Sequence, residues 1–288
     1  MDRADKKHLW RCRDKVLNLD QRTYVMGILN VTPDSFSDGG RHYSLDAAVQ
    51  RALEMQAEGA DIIDIGGEST RPGSQPVSLD EELRRVTPVI EQLRAQITVA
   101  ISADTYKAQV AEAALNAGAD IVNDISGLRF DSNMASVIAK AGAGVVLMHI
   151  KGTPRDMQKD PHYDNLMAEI IDYLEQSKQL AIDAGIEIER IVIDPGIGFG
   201  KRLQDNFQIL RELSKLARLR CPILVGPSRK SFIGQTLGLP VEERLEGTAA
   251  AVTACVFNGA SIVRVHDVKQ MKRVVTLADA IAGKGKSI

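Results

Sequence analysis

The chain has 288 residues, 44% hydrophobic and 26% charged, the profile of an ordinary soluble globular protein with ample material for a core. Its 36 basic and 38 acidic residues leave a net charge of −2 and form no long block of one sign, which argues against nucleic acid as a partner. Three widely spaced cysteines, Cys12, Cys221 and Cys255, supply neither a disulfide framework nor a CxxC zinc pattern. No stretch approaches the roughly 18 apolar residues of a membrane span. The basic residues near the start are interrupted by Asp2, Asp5 and Asp14, with no apolar segment of a secretory signal behind them. A cytoplasmic protein without a membrane partner is expected.

In chain order, residues 1–20 read as an N-terminal extension and residues 21–288 as one repeating unit. Eight short apolar runs rich in β-branched residues read as strands: Tyr24 to Leu29, Ile62 to Ile65, Thr98 to Ser102, Ile121 to Val122, Val145 to Met148, Ile191 to Ile193, Ile223 to Val225 and Ile262 to Val265. Amphipathic stretches separate them. Leu79, Leu83, Val86, Ile90 and Leu93 recur at helical spacing behind a capping box of Ser78 and Glu81, and Val268, Met271, Val275 and Ala278 do so at the end. Gly59, Gly118, Gly142, Gly185 and Gly259 each close a helical stretch ahead of a strand, where a left-handed residue suits glycine. This alternation predicts an α/β fold, a single (β/α)8 TIM barrel, which needs about 250 residues. A doubly wound open sheet is the alternative; eight units and the lack of a GxGxxG fingerprint after the first strand favour the closed barrel.

In such a barrel the functional groups stand where each strand gives way to its loop. Polar residues occupy all eight ends: Asn30; Asp64 and Glu68; Asp104; Asn123 and Asp124; His149; Asp194; Ser228 with Lys230; Arg264 with His266. Any one of them is explained as readily by capping or local backbone bonding. The whole ring suits a flat, nitrogen-rich heterocycle with donors and acceptors along its edge. Ser228, Arg229, Lys230, Arg264 and His266 fall near strands seven and eight, where barrels often bind phosphate, although Arg229 reads better as a solvated or structural ion-pair residue. The run Gly196, Gly198, Gly200, Lys201 has neither Walker A nor dinucleotide spacing and reads as a flexible loop. His149 and His266 lack the partners of a protein-built zinc site, so a magnesium ion held mainly by substrate phosphates is the more plausible metal.

MGILNVTPDSFSDGG from Met26 and GGESTRPG from Gly66 resemble the two signature segments of the dihydropteroate synthase family. NDISG from Asn123, LMHIKGTPRDMQ from Leu147, DPGIGFGK from Asp194, SRKSFIG from Ser228 and RVHDVK from Arg264 resemble its further blocks, in its order. Ala103, where valine is common, and Pro227, ahead of SRKS, depart from the pattern without removing a polar site group. The matched blocks leave residues one to about 20 outside.

The resemblance implies a folate-pathway transferase joining para-aminobenzoate to 6-hydroxymethyl-7,8-dihydropterin diphosphate. It implies that Thr70, Asp104, Asn123, Asp194, Lys230, Arg264 and His266 bind the pterin diphosphate. Phe36, Arg71, Pro72, Phe199 and Ser228 are implied for para-aminobenzoate, Asp38, Arg71 and Lys230 for catalysis, and Asn30 for Mg²⁺. Sulfonamides are implied as inhibitors and a homodimer as the assembly. Val252, Val256 and Phe257 suit either an interface or the core. Two rival expectations are a pterin-dependent methyltransferase on a similar barrel, which needs no diphosphate site, and a non-catalytic pterin-binding paralogue.

Overall fold

The structure is a computed structural model and describes residues 9–31, 40–71 and 73–284. A hairpin of β1 (Leu9–Cys12) and β2 (Lys15–Asn18) precedes eight parallel strands: β3 (Tyr24–Asn30), β4 (Ile62–Gly66), β5 (Ala100–Asp104), β6 (Ile121–Asp124), β7 (Gly144–Met148), β8 (Ile191–Asp194), β9 (Leu224–Val225) and β10 (Ile262–Val265). Neighbours run in the order β8-β7-β6-β5-β4-β3-β10-β9, and a parallel bridge between Ile193 and Ile223 joins the two ends. The sheet is therefore a closed barrel. The main helices around it are α1 (Gly40–Ala57), α2 (Leu79–Arg94), α3 (Ala108–Ala117), α4 (Met134–Ala141), α5 (Leu166–Asp183), α6 (Leu203–Arg211), α7 (Ser231–Leu237), α8 (Leu245–Phe257) and α9 (Val268–Ile281).

The helix starts and stops largely follow the sequence. Ser78 Oγ accepts from the Glu81 N–H at 3.3 Å and caps α2, but the reciprocal half of the capping box is replaced by a pair between the Glu81 carboxylate and Arg85 Nε at 2.7 Å. All five junction glycines have positive φ, from 59° at Gly142 to 115° at Gly118. At Gly118 a side chain is excluded twice over, because a Cβ there would also lie 2.7 Å from Arg94 Cγ.

Side chains in a strand alternate between faces, so in a closed barrel every second residue points to the axis. The outward set, including Ile63, Ile101, Val122, Val145, Ile191 and Val263, joins the apolar faces of the helices in one large cluster. The inward set begins with one apolar residue from each strand: Met26, Ile62, Ala100, Ile121, Val146, Val192, Leu224 and Ile262. Trp10, Cys12 and Leu19 belong to that inner cluster. The hairpin is thus a plug under the barrel floor. It is tied there by Trp10 Nε1, which donates to the Arg190 carbonyl at 2.9 Å, and by the backbone bond from Arg13 N–H to the Gly142 carbonyl at 3.0 Å.

Outside the barrel, Val252 and Val256 are buried in the core whereas Phe257 is 49% exposed. Core packing accounts for the two valines. None of the described helices is long and apolar enough to cross a membrane.

Trp10 is fully buried at 0% exposure, and truncating a buried aromatic residue typically costs about 3–5 kcal/mol. Trp10→Ala is expected to lose that much stability in urea denaturation. A loss under about 1 kcal/mol would show that the floor stays closed without the hairpin's anchor.

Candidate active site

One alternation above the apolar floor, the inward positions are Ile28, Asp64, Ser102, Asn123, Met148, Asp194, Gly226 and Arg264. The barrel axis turns from apolar to polar within a single layer. Arg264 occupies its centre: Nε donates to Asp64 Oδ2 at 2.5 Å and Nη2 to Asp104 Oδ2 at 2.6 Å. Asn123 Nδ2 donates to the same Asp64 oxygen at 3.0 Å. The second oxygens of Asp64 and Asp104 are buried with no partner among the described residues.

Above this layer lies an outer cavity of about 390 Å³, with a narrow inner one of about 20 Å³ beneath it. Thr70, Asp104, Phe199, Lys230 and Arg264 line both. Asn123 and Asp194 face the inner cavity, and Asn30, Arg71, Ser228 and His266 the outer one. The structure therefore gathers Asn30, Thr70, Arg71, Asp104, Asn123, Asp194, Phe199, Ser228, Lys230, Arg264 and His266 around one mouth. Phe36, Asp38 and Pro72 lie outside the described residues.

Burial sets the electrostatics. It pushes the Asp104 carboxyl up to about 7, with the negative charges of Asp64 and Glu82 adding to the rise against the pull of Arg264. It also raises Asp194 to about 6, although the Gly196 N–H donates to Asp194 Oδ1 at 2.7 Å and Lys230 and Lys201 stand near. Lys230, its Nζ 4.2 Å above the Phe199 ring centroid, is brought down to about 8 by burial and by the Arg264 charge. His266 falls to about 3, again through burial first and Arg264 second. It is neutral at pH 7. Ser228 Oγ accepts from the His266 N–H at 3.2 Å and lies 3.0 Å from Nδ1. A hydroxyl donating to Nδ1 leaves the ring proton on Nε2 as a donor.

Other residues at the strand ends serve the frame. Asp124 accepts from Ser126 N–H and Leu128 N–H, both at 2.8 Å, and closes its own turn. Arg229 forms a two-pronged pair with Asp267, at 2.9 and 2.5 Å, as its ion-pair reading anticipates. Arg244, which the motifs do not single out, donates to the Arg229 carbonyl at 3.0 Å and fastens the Ser228–Lys230 turn. Glu68 accepts from Tyr106 Oη and Lys107 Nζ, both at 2.6 Å, at the base of the loop carrying Thr70 and Arg71.

The reading of Gly196 to Lys201 as a flexible loop needs correction. All of residues 195–201 are buried, and Gly196, Gly198 and Gly200 have φ of 70°, 81° and 65°. A Cβ at Gly196 would collide with the His149 carbonyl oxygen, and one at Gly200 with that of Lys151. The glycines let this loop pack against the one after β7. Lys201 seals the contact, with its Nζ 2.8 Å from His149 Nδ1 and donating to the Phe199 carbonyl at 2.9 Å.

A barrel mouth with a buried row of hydrogen-bonding groups beside cationic ones defines a binder of a flat polar heterocycle carrying an anionic substituent. A family model described as pterin binding enzyme matches residues 26–266. Dihydropteroate synthase of Bacillus subtilis is 47% identical over 281 residues, spanning 98% of this chain and 96% of that protein. Among solved structures, the Clostridium difficile dihydropteroate synthase in the presence of pteroic acid superposes with a TM-score of 0.88 at 50% identity, covering 92% of this chain and 98% of that one. The Yersinia pestis dihydropteroate synthase in a sulfonamide drug complex gives 0.90 at 45% identity, covering 96% and 99%. The chain belongs to the dihydropteroate synthase family of pterin-binding enzymes.

The Asp194 carboxyl has its pKa raised from 3.8 to about 6, a difference of about 3 kcal/mol. A carboxyl raised on folding stabilises the protein below pH 4, and that contribution is lost as pH rises through 6. Asp194→Asn keeps an acceptor for Gly196 and removes the charge. It should be more stable than the wild type at pH 8, by up to about 3 kcal/mol, and equal to it near pH 4. A pH-independent difference in thermal denaturation would rule this out.

Proposed function

We propose that this chain condenses 6-hydroxymethyl-7,8-dihydropterin diphosphate with para-aminobenzoate, releasing 7,8-dihydropteroate and diphosphate. The observation that carries the reading is the single mouth in which buried Asp104, Asn123 and Asp194 adjoin Lys230, Arg264 and His266, in a chain 47% identical to a dihydropteroate synthase. Asp194 accepts from the amino and ring N–H groups of the pterin, while Asp104, Asn123 and Lys230 address its other heteroatoms. Thr70, Arg264 and the Nε2–H of His266 receive the diphosphate.

As the C–O bond breaks, the electron pair leaves with the diphosphate and the pterin ring delocalises the charge left on its methylene carbon. The arylamine nitrogen then attacks that carbon and gives up a proton. No protein nucleophile is required. Phe199, Ser228 and the loop residues Phe36, Asp38, Arg71 and Pro72 hold the arylamine and exclude water, which otherwise competes for the cation. Sulfonamides compete for this arylamine site, a reading supported by the Yersinia pestis relative solved in a sulfonamide drug complex.

Asn30 suits a magnesium ion. Its amide lies at the mouth with His266, and a hard cation that retains several waters needs few protein oxygens when substrate phosphates supply the others. Among the described residues no group of three or more His, Cys, Asp or Glu would hold a metal alone. When bound, the ion neutralises charge on the leaving diphosphate.

Residues 21–288 form the catalytic unit in this reading, and residues 1–20 the extension whose described part closes the floor. Three buried free thiols suit a reducing cytoplasm. Of Val252, Val256 and Phe257, only the exposed Phe257 is placed to serve a homodimer contact.

Incubated with pterin diphosphate, Mg²⁺ and radiolabelled para-aminobenzoate, the purified chain should yield labelled dihydropteroate and one diphosphate per turnover. Pterin binding without product would identify a non-catalytic paralogue, and methyl transfer without diphosphate release a methyltransferase. Asn30→Ala should need more Mg²⁺ for half-maximal rate and turn over more slowly. A magnesium titration superimposable on that of the wild type would remove Asn30 from the metal.

A further inference from the structure

Asp64 is fully buried at 0% exposure, at an inward position of β4 one layer above the apolar floor. Two pocket residues converge on its Oδ2, the Arg264 Nε at 2.5 Å and the Asn123 Nδ2 at 3.0 Å. Asn123 and Arg264 line the inner cavity, and Asp64 lines neither cavity. It lies under the site and holds two of its walls.

We propose that Asp64 is a positioning residue for pterin recognition, one that touches no substrate and acts chiefly by orienting Asn123. A carboxylate paired with a guanidinium only accepts, so Asn123 must turn its NH₂ toward Asp64. The amide oxygen of Asn123 is thereby committed to the opposite side, where the inner cavity lies. Without Asp64 the amide is free to turn over, and the flipped orientation would present a donor where the wild type presents an acceptor. A pterin N–H facing that donor would go unpaired in a buried site.

The same oxygen limits Arg264. Held by Asp64 and Asp104 on adjacent strands, which pair in register through Asp64 opposite Ser102 and Gly66 opposite Asp104, the guanidinium cannot turn toward Asp194. The carboxylate of Asp194 stays available to the ligand.

This role rests on the pterin-binding reading above, and a double-mutant cycle separates the two. Affinity for 6-hydroxymethylpterin is measured by calorimetry on the wild type, Asp64→Ala, Asn123→Ala and the double variant. Asp64→Ala is expected to weaken binding about tenfold in the wild-type background and less than about threefold once Asn123 is alanine, because the interaction it acts through is gone. The near-isosteric Asp64→Asn, measured the same way, serves if the alanine variant does not fold, with the same shrinkage expected. Equal losses in both backgrounds, in whichever Asp64 variant folds, overturn the positioning role, since a merely structural carboxylate would cost the same with or without Asn123. A wild-type chain that binds no pterin instead overturns the functional reading on which the role rests.

Discussion

The rest of the molecule depends on one geometric constraint: in a closed barrel of parallel strands, side chains must alternate strictly between the helices and the axis. Because the axis is narrow, its layers fill with whichever residues the inward parity supplies. Here the lowest layer is wholly apolar and is sealed from below by Trp10, Cys12 and Leu19. Two residues further along each strand the same parity delivers Asp64, Asn123, Asp194 and Arg264. The apolar plug and the polar site are consecutive turns of one pattern, and the first makes the second possible by keeping water out of its base.

That arrangement charges the folded state for its function. Four ionisable groups, Asp64, Asp104, Asp194 and Arg264, share a small volume, and buried ions repay their lost hydration only with good geometry and complete pairing. Arg264 is satisfied by two carboxylates, and its guanidinium is held charged well above its ordinary range by them. Asp104 and Asp194 are less well served, which is why burial raises both. Groups strained in this way are the ones expected at a binding site, where the missing hydrogen bonds come from the substrate.

All eight barrel strands were legible as apolar runs, and so was the ring of polar groups at their ends. The runs stop early at Asp104, Asp124 and Asp194, because polar residues with low strand propensity end them, yet each sits in the ladder: Asp194 pairs opposite Met148 and Asp104 opposite Asn123. Tertiary closure overrides local propensity there. The parity rule would also have sorted the ring. Asn123 follows inward Ile121 by two residues, while Asp124 and His149 fall on the outward parity and bond to the frame instead. Less was legible in loops. The glycines after Asp194 read as freedom in sequence, but in the fold they permit backbone contact with the loop after β7, a pairing distant in sequence that no local pattern encodes. The hairpin's place under the floor was hidden likewise, since Trp10 and Cys12 pack against Gly144 and Trp10 bonds to Arg190, both distant in sequence.

The site divides by rigidity as well as by chemistry. Its floor comes from strand residues held in the ladder, on both sides at Asp104 and Asn123, and by a second bonded partner such as Asp64 or Gly196. Its rim comes from loops, and the structure anchors them at their bases: Glu68 with Tyr106 and Lys107 below Thr70 and Arg71, Arg244 below Lys230, and Lys201 below Phe199. In each case a side chain grips backbone or a neighbouring charge beside a residue that faces the cavity. A flat ring with a fixed hydrogen-bonding edge gains from a floor that does not adapt, because discrimination between donors and acceptors is lost once an amide can rotate. The anionic substituent and the second substrate need a rim that admits and then covers them. Rigid strands beneath anchored loops meet both needs, and the same barrel parity that builds the plug decides which residues belong to which tier.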